Sequence, residues 1–150
     1  MSDPATAPSP SPRRMEPPAT EVSRPFWEAT RNKQFLLQWC IPCDQPIFYP
    51  REVCPRCLGT ELEWRPASGQ GQVHAVSVQH NPPMPPAAFN QGPYVVALID
   101  LAEGARVMSN ITGCPPDDVA VGMPVTLTWE PLSDGRHLPQ FQAAGESSIR

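Results

Sequence analysis

CIPCDQPIFYPREVCPRC, residues 40–57, holds four of the chain's five cysteines. They fall as two Cys-x-x-Cys pairs, Cys40/Cys43 and Cys54/Cys57, with ten residues between the pairs. Each pair is a knuckle. Two thiolates converge on one point while backbone N–H groups turn toward the sulfurs. Two knuckles fed by strands make a tetrahedral four-sulfur cage, the construction of a zinc ribbon. The ten-residue gap is shorter than the about 15–20 residues of the common two-pair signature. It is still long enough for a hairpin to reverse, and Gln45-Pro46 and Pro50-Arg51-Glu52 are the residues expected to reverse it. A knuckle favours a residue that tolerates positive φ just after it. Asp44 follows Cys43 directly, whereas Gly59 lies two residues after Cys57.

The cluster predicts one structural zinc ion. Iron in the same cage, serving electron transfer, is an alternative that four sulfurs permit. A thiol–disulfide pair would need only one Cys-x-x-Cys, beside a βαβ pattern that this sequence lacks. Four cysteines fill a tetrahedral shell and leave no position for water, so the pattern argues against chemistry at the metal. Its expected contribution is folding energy for a hairpin with little core of its own.

The rest of the chain bounds the function further. It has 150 residues, 40% hydrophobic and 17% charged, with a net charge of −4. A protein that gains affinity by neutralising phosphates is usually basic, so nucleic acid is disfavoured as a partner. No apolar run approaches the roughly 18 residues that cross a bilayer. The first residues have no apolar h-region, which points to a cytoplasmic protein with reduced thiols. Cys114 reads as a half-buried spacer. His74 and His80 fall on an expected strand with no acidic partner in register, and His137 falls in an expected turn. No P-loop or dinucleotide-binding glycine pattern occurs. No catalytic residue is expected in this chain.

Seven of the 22 prolines lie in the first 25 residues, and residues 1–22 read as a disordered tail. A helix plus zinc ribbon is expected over 23–66. Ser23 and Pro25 start the helix, which runs to about Gln34. Phe26 and Trp27 on it either pack on their own domain or face a partner. Strands are expected at 35–39 and 61–66, with a Gly-rich bend over 68–72. Beyond the bend the chain reads as all β over 67–143, with 144–150 frayed. The run 73–80 switches alternation between Val73 and Val76, which suggests a bulge. The run 94–101 (YVVALIDL) reads as a strand buried on both faces. A returning strand covers 106–111. In 125–129, Val125, Leu127 and Trp129 face in while Thr126 and Thr128 face out. A turn at 133–136 leads into a last strand at 138–143. Five such segments suit a small closed barrel of the OB type, and a small sandwich is the alternative. The loop 81–93 carries five prolines with Met84 and Phe89. It reads as a partner- or ligand-facing loop against the plainer view of a surface connection.

The order of these parts resembles the zinc-ribbon/OB-fold family associated with acyl-CoA enzymes, over roughly residues 23–143. The motifs that carry the resemblance are Phe26-Trp27, the two cysteine pairs, Trp64 with the SGQG bend, Pro93 to Leu98 (PYVVAL), and Gly122 to Val125 (GMPV). It implies a mostly β fold: an N-terminal helix, a rubredoxin-like zinc ribbon and a five-stranded OB barrel. It also implies a non-catalytic accessory subunit. Such subunits bind thiolase-fold enzymes (thiolases, acyltransferases, acyl-CoA synthases and retro-aldolases) and help form the acyl-CoA channel. Some members accompany hydratases. A dimeric partner would imply two copies of each chain. Asp44 stands where the family often has Gly, and Gln34-Phe35 where a Gly before the strand is common. A nucleic-acid-binding ribbon/OB module is the competing reading, disfavoured because the barrel strands carry few cations, notably Arg106. The residues expected to face partner or acyl-CoA are Phe26, Trp27, Phe48, Tyr49, Met84 and Phe89, with ribbon-core packing as the competing role for Phe48 and Tyr49.

Overall fold

The computed structural model describes residues 16–80 and 93–144. Helix α1 spans Arg24–Thr30, with Pro25 in its first turn. Ser23 caps the helix by position only: its hydroxyl pairs instead with Thr20 Oγ1 at 3.0 Å. The helix is shorter than the sequence suggests because a Schellman motif stops it. Gln34 N–H donates to Ala29 O at 3.0 Å, Lys33 N–H donates to Thr30 O at 2.9 Å, and Lys33 sits at φ 58°.

Three strands form the ribbon: β1 Leu36–Cys40, β2 Gln45–Ile47 and β3 Leu62–Pro66, in the order β2-β1-β3, all antiparallel. Gln45-Pro46 is therefore strand and not the expected reversal. The chain reverses one step earlier, within the first knuckle, where Cys40 pairs with Gln45 across the turn.

Five strands close the barrel: β4 Gln70–Gln79, β5 Tyr94–Leu101, β6 Arg106–Thr112, β7 Pro124–Pro131 and β8 His137–Ala143. Their order is β4-β5-β6-β8-β7, with β4 also paired to β7 and a parallel contact between β6 and β8. This is the five-stranded OB barrel. The expected Gly-rich bend narrows to Ser68-Gly69, and Gly71 is already strand. Gly71 must be Gly for packing: a Cβ there would lie 2.7 Å from Ile99 Cγ2. The bulge is present, with the register shifting between Val73 and Ala75.

One expectation fails on β5. The strand is not buried on both faces. Val95, Ala97, Ile99 and Leu101 are buried, while Tyr94, Val96, Leu98 and Asp100 are half-buried. A small barrel has one interior, so its strands alternate even where the outward residues are apolar. On β7, Val125 is fully buried, and Leu127 and Trp129 pack against the core from partly buried positions.

Helix, ribbon and barrel share one core. Phe35, just before β1, stacks edge-on with Phe141 at 6.4 Å, Trp129 at 6.5 Å and Phe26 at 6.0 Å between ring centroids. Thr30, fully buried, accepts the His137 backbone N–H on Oγ1 at 3.1 Å, and its carbonyl pairs with His137 Nδ1 at 2.8 Å. His137 is thus the first residue of β8 and not part of a turn. Residues 16–22, the end of the segment expected as a tail, touch the β7–β8 turn: Glu16 accepts from Ser133 N–H at 3.0 Å, and Pro17 O accepts from Arg136 Nη1 at 2.9 Å. Phe141 is 1% exposed where these elements meet. Phe141→Ala is expected to cost about 3–5 kcal/mol, read as a lowered denaturant midpoint, and to loosen helix and barrel together.

Candidate functional site

The two knuckles close alike. Asp44 N–H donates to Cys40 O at 2.8 Å, and Leu58 N–H donates to Cys54 O at 2.8 Å. Asp44 sits at φ 55° and Leu58 at φ 62°. The residue directly after each second cysteine therefore takes the left-handed conformation, a cost of roughly 1–2 kcal/mol for a side chain with a Cβ. Gly59, the glycine near the second knuckle, is not in that position. It donates its N–H to Cys57 Sγ at 3.4 Å, and Arg56 N–H donates to Cys54 Sγ at 3.3 Å.

These turns bring all four Sγ atoms within 4.8 Å of one another. Cys40 and Cys57 sulfurs are 3.7 Å apart, and those of Cys43 and Cys54 are 4.0 Å apart. Zn–S bonds of about 2.3 Å give tetrahedral edges of about 3.8 Å, so the donor set fits one zinc ion. Cys40 and Cys54 are fully buried, Cys43 is half-buried and Cys57 is exposed. Backbone hydrogen bonds at the second knuckle, foremost from Cys57, pull the Cys54 thiol down to about 6. Hydrogen bonding to Cys57 pushes Cys43 up to about 12, and burial raises Cys40. A bound zinc ion would supply the charge that keeps the sulfurs deprotonated, and metal affinity drops as the pH is lowered because protons compete. The core around the cage is small: Cys40, Ile47 and Cys54, with Cys43 and Leu62 against them. Gln38, which the sequence reading passed over, fastens the loop between the knuckles. Its side chain donates to Arg51 O and accepts from Arg51 N–H, both at 2.8 Å.

That loop borders a cleft of about 580 Å³ between ribbon, helix and barrel. Phe48 and Tyr49, joined by a cis peptide, line it together with Phe26 and Trp27. Val96 and Met108, on the outer faces of β5 and β6, also line it. Phe26 and Trp27 are mostly buried in the chain's own core, at 5% and 9% exposed, and also line the cleft. Phe48 is partly buried against the same core, 6.0 Å from Phe26, whereas Tyr49 is 54% exposed. The structure therefore gathers four of the six expected contact residues at one cleft. Met84 and Phe89 lie outside the described residues.

Away from the cleft, His74 does have an acidic neighbour, contrary to the sequence reading. The bulge puts His74 outside the regular ladder, with Nδ1 3.5 Å from Asp100 Oδ2 and 3.2 Å from Arg106 Nη2. Arg106 binds both oxygens of Asp100, at 2.6 and 3.2 Å, and holds its carboxyl below the ordinary range. This is an exposed ion-pair cluster. Cys114 is half-buried against the barrel core.

Residues 27–63 match a family model described as the ChsH2 rubredoxin-like zinc ribbon domain, and residues 64–130 match the ChsH2 C-terminal OB-fold domain. The chain belongs to the ChsH2 zinc-ribbon/OB-fold family. A probable enoyl-CoA hydratase alpha subunit from Thermomonospora curvata is 38% identical over 135 residues, which is 89% of this chain. The chain spans only 41% of that relative's length. A DUF35 domain-containing scaffold protein from Methanocaldococcus jannaschii is 40% identical over 63% of this chain and 67% of its own length. A solved structure described as Ltp2-ChsH2(DUF35) aldolase superposes with a TM-score of 0.76 at 34% identity, covering 87% of this chain and all of that chain. Among the described residues, no helix is long and apolar enough to cross a membrane.

The ChsH2-type cage yields two expected outcomes. Cys54→Ser should abolish the stoichiometric zinc seen by elemental analysis and lower the thermal midpoint of the ribbon. If turnover of a complex were lost while metal content and assembly stayed normal, the cage would be catalytic instead. Leu58→Gly, which relieves a φ of 62° at an exposed side chain, should stabilise the zinc-loaded chain by about 1 kcal/mol in denaturant unfolding.

Proposed function

We propose that this chain is a non-catalytic, zinc-braced accessory subunit of an acyl-CoA-processing complex. It binds and stabilises a thiolase-fold partner (a thiolase, an acyltransferase or a retro-aldolase) and helps form the acyl-CoA channel of that enzyme. The observation that carries this reading is a filled four-sulfur shell beside an open aromatic cleft. Four sulfurs leave the metal no position for substrate, and the described residues lining the cleft include no Asp, Glu, His, Lys or Cys. Such a chain contributes walls and leaves bond-breaking to another polypeptide. The structure described as an aldolase supports an aldolase partner, and the relatives called scaffold proteins support a binding role; the thiolase fold of that partner is what the family resemblance implies.

A second reading has its own support. The Thermomonospora relative is a hydratase alpha subunit, and by that likeness the partner would be an acyl-CoA hydratase. The nucleic-acid module is less well supported. Arg106, the cation singled out on the barrel, is tied to Asp100 and offers phosphate little unpaired charge.

Co-expression separates these readings. With a thiolase-fold candidate encoded nearby, the chain is expected to co-purify as a hetero-oligomer, with two copies of each chain if the partner is dimeric. With a hydratase candidate alone, no complex is expected. Tyr49→Ala, which truncates an exposed ring, should weaken the association by about tenfold or more while zinc content stays at one per chain. A chain that stays a stable monomer beside a partner that is soluble and fully active alone would sink the proposal.

A further inference from the structure

The four sulfurs of the cage are not equally covered. Cys40 and Cys54 are 0% exposed, Cys43 is half-buried, and Cys57 alone among the four is exposed. Its chain neighbours leave it open. Pro55, Arg56 and Leu58 are exposed as well. Gly59 adds no side chain: a Cβ there would lie 3.3 Å from Cys57 Sγ, so glycine keeps that side of the sulfur clear.

A second sulfur stands within reach. Cys57 Sγ lies 3.7 Å from Cys40 Sγ, whereas Cys43 and Cys54 sulfurs are 4.0 Å apart. Cys40 ends β1 and is paired on both sides, opposite Gln45 and Leu62. Cys57 lies in a turn outside the strands. Closing the gap between these two sulfurs therefore asks the turn to shift and not the sheet. A zinc-bound cysteine is a thiolate, and oxidation of cysteine follows thiolate character and exposure. Buried Cys40 is shielded from an oxidant in solution but faces the sulfur that is not.

We propose that Cys57 is an oxidation site and that Cys40 resolves it. The oxidant is hydrogen peroxide or an organic hydroperoxide. Cys57 Sγ attacks a peroxide oxygen: an S–O bond forms, the O–O bond breaks, and the departing oxygen takes a proton from solvent and leaves as water or an alcohol. Cys57 becomes a sulfenic acid. The Cys40 thiolate then attacks that sulfur: an S–S bond forms, the S–O bond breaks, and hydroxide leaves and is protonated to water. Two electrons pass from the two sulfurs to the peroxide. Cys43 and Cys54 remain as thiolates, too few to close a tetrahedral shell, and the zinc ion is released. The inference needs the loaded cage and stands apart from the accessory-subunit reading.

The test uses the full zinc-loaded chain carrying Cys114→Ser, which removes the thiol outside the cage. A brief exposure to iodoacetamide, mapped by mass spectrometry, should alkylate Cys57 ahead of the other cage cysteines. Hydrogen peroxide is then added to a fresh sample, beside a chromogenic zinc chelator that leaves the untreated cage loaded. Zinc release should rise in proportion to peroxide consumed. The first disulfide mapped should join Cys40 and Cys57, and dithiothreitol with added zinc should restore the cage. Cys57→His supplies the fourth ligand that Cys3His sites use. It should hold zinc and release it to peroxide at least about tenfold more slowly. If that variant binds no zinc, the footprint and the disulfide map of the parent chain decide alone. Alkylation led by another cysteine, a first disulfide other than Cys40–Cys57, zinc retained while peroxide is consumed, or unslowed release from zinc-loaded Cys57→His would each overturn the proposal.

Discussion

Four sulfurs held around one point stand in for a core that the ribbon cannot build. Its three strands bury Cys40, Ile47 and Cys54 as a cluster of their own, and two of those three residues are ligands. So small an apolar cluster cannot offset the chain entropy of a ribbon. The metal closes that gap, and it does so only if both knuckles hold their turns. This explains why two residues with side chains, Asp44 and Leu58, tolerate positive φ. The strain at each is small beside the binding free energy of a structural zinc.

What the cage braces is not confined to the ribbon. β1 carries Cys40 at one end, follows Phe35 at the other, and holds Gln38 between. Phe35 packs into the barrel through Phe141 and Trp129. Gln38 grips Arg51 and so fixes the loop that presents Phe48, Tyr49 and Pro50 to the cleft. One short strand therefore joins metal, core and cleft wall. Loss of the metal would be felt at the cleft through that strand without any direct contact between ion and ligand.

The sequence made some of this legible, and the reasons are local. Cysteine spacing encodes a cage because the knuckle is a turn of fixed length. The bulge near His74 showed as a broken alternation, because a strand's faces switch when one residue is added. Other features depended on partners far along the chain. The two-sided burial expected for residues 94–101 came from reading an apolar run without knowing that its outer face borders a cleft. Phe26 and Trp27 could not be assigned from a seven-residue helix, since only the barrel decides which side of a short helix is covered. His74 gained Asp100 and Arg106 as neighbours from two other strands, and Gln38 gained Arg51 thirteen residues away. The left-handed residues were the hardest to see: Lys33 and Leu58 belong to types that disfavour that conformation, and only the closing hydrogen bonds of cap and knuckle impose it.

The charge distribution of the described residues bears on the proposed division of labour between chains. Catalysis of acyl transfer or carbon–carbon cleavage needs groups that gain or lose protons beside the reacting carbonyl. Here the titratable groups are drawn elsewhere. Four thiols are committed to the cage, His74, Asp100 and Arg106 to one another, and Arg136 and Asp134 to the turn behind Trp27. His137 is pinned to Thr30 at both its backbone and ring nitrogens. A cleft lined by rings, methionine and hydroxyl groups, with no carboxylate, imidazole or ammonium among its described lining residues, can exclude water and orient an apolar group. Excluding water is itself useful to a neighbouring active site, because electrostatic interactions there strengthen as the dielectric falls. Such a wall suits the role proposed above, one side of a dry channel shared with a partner.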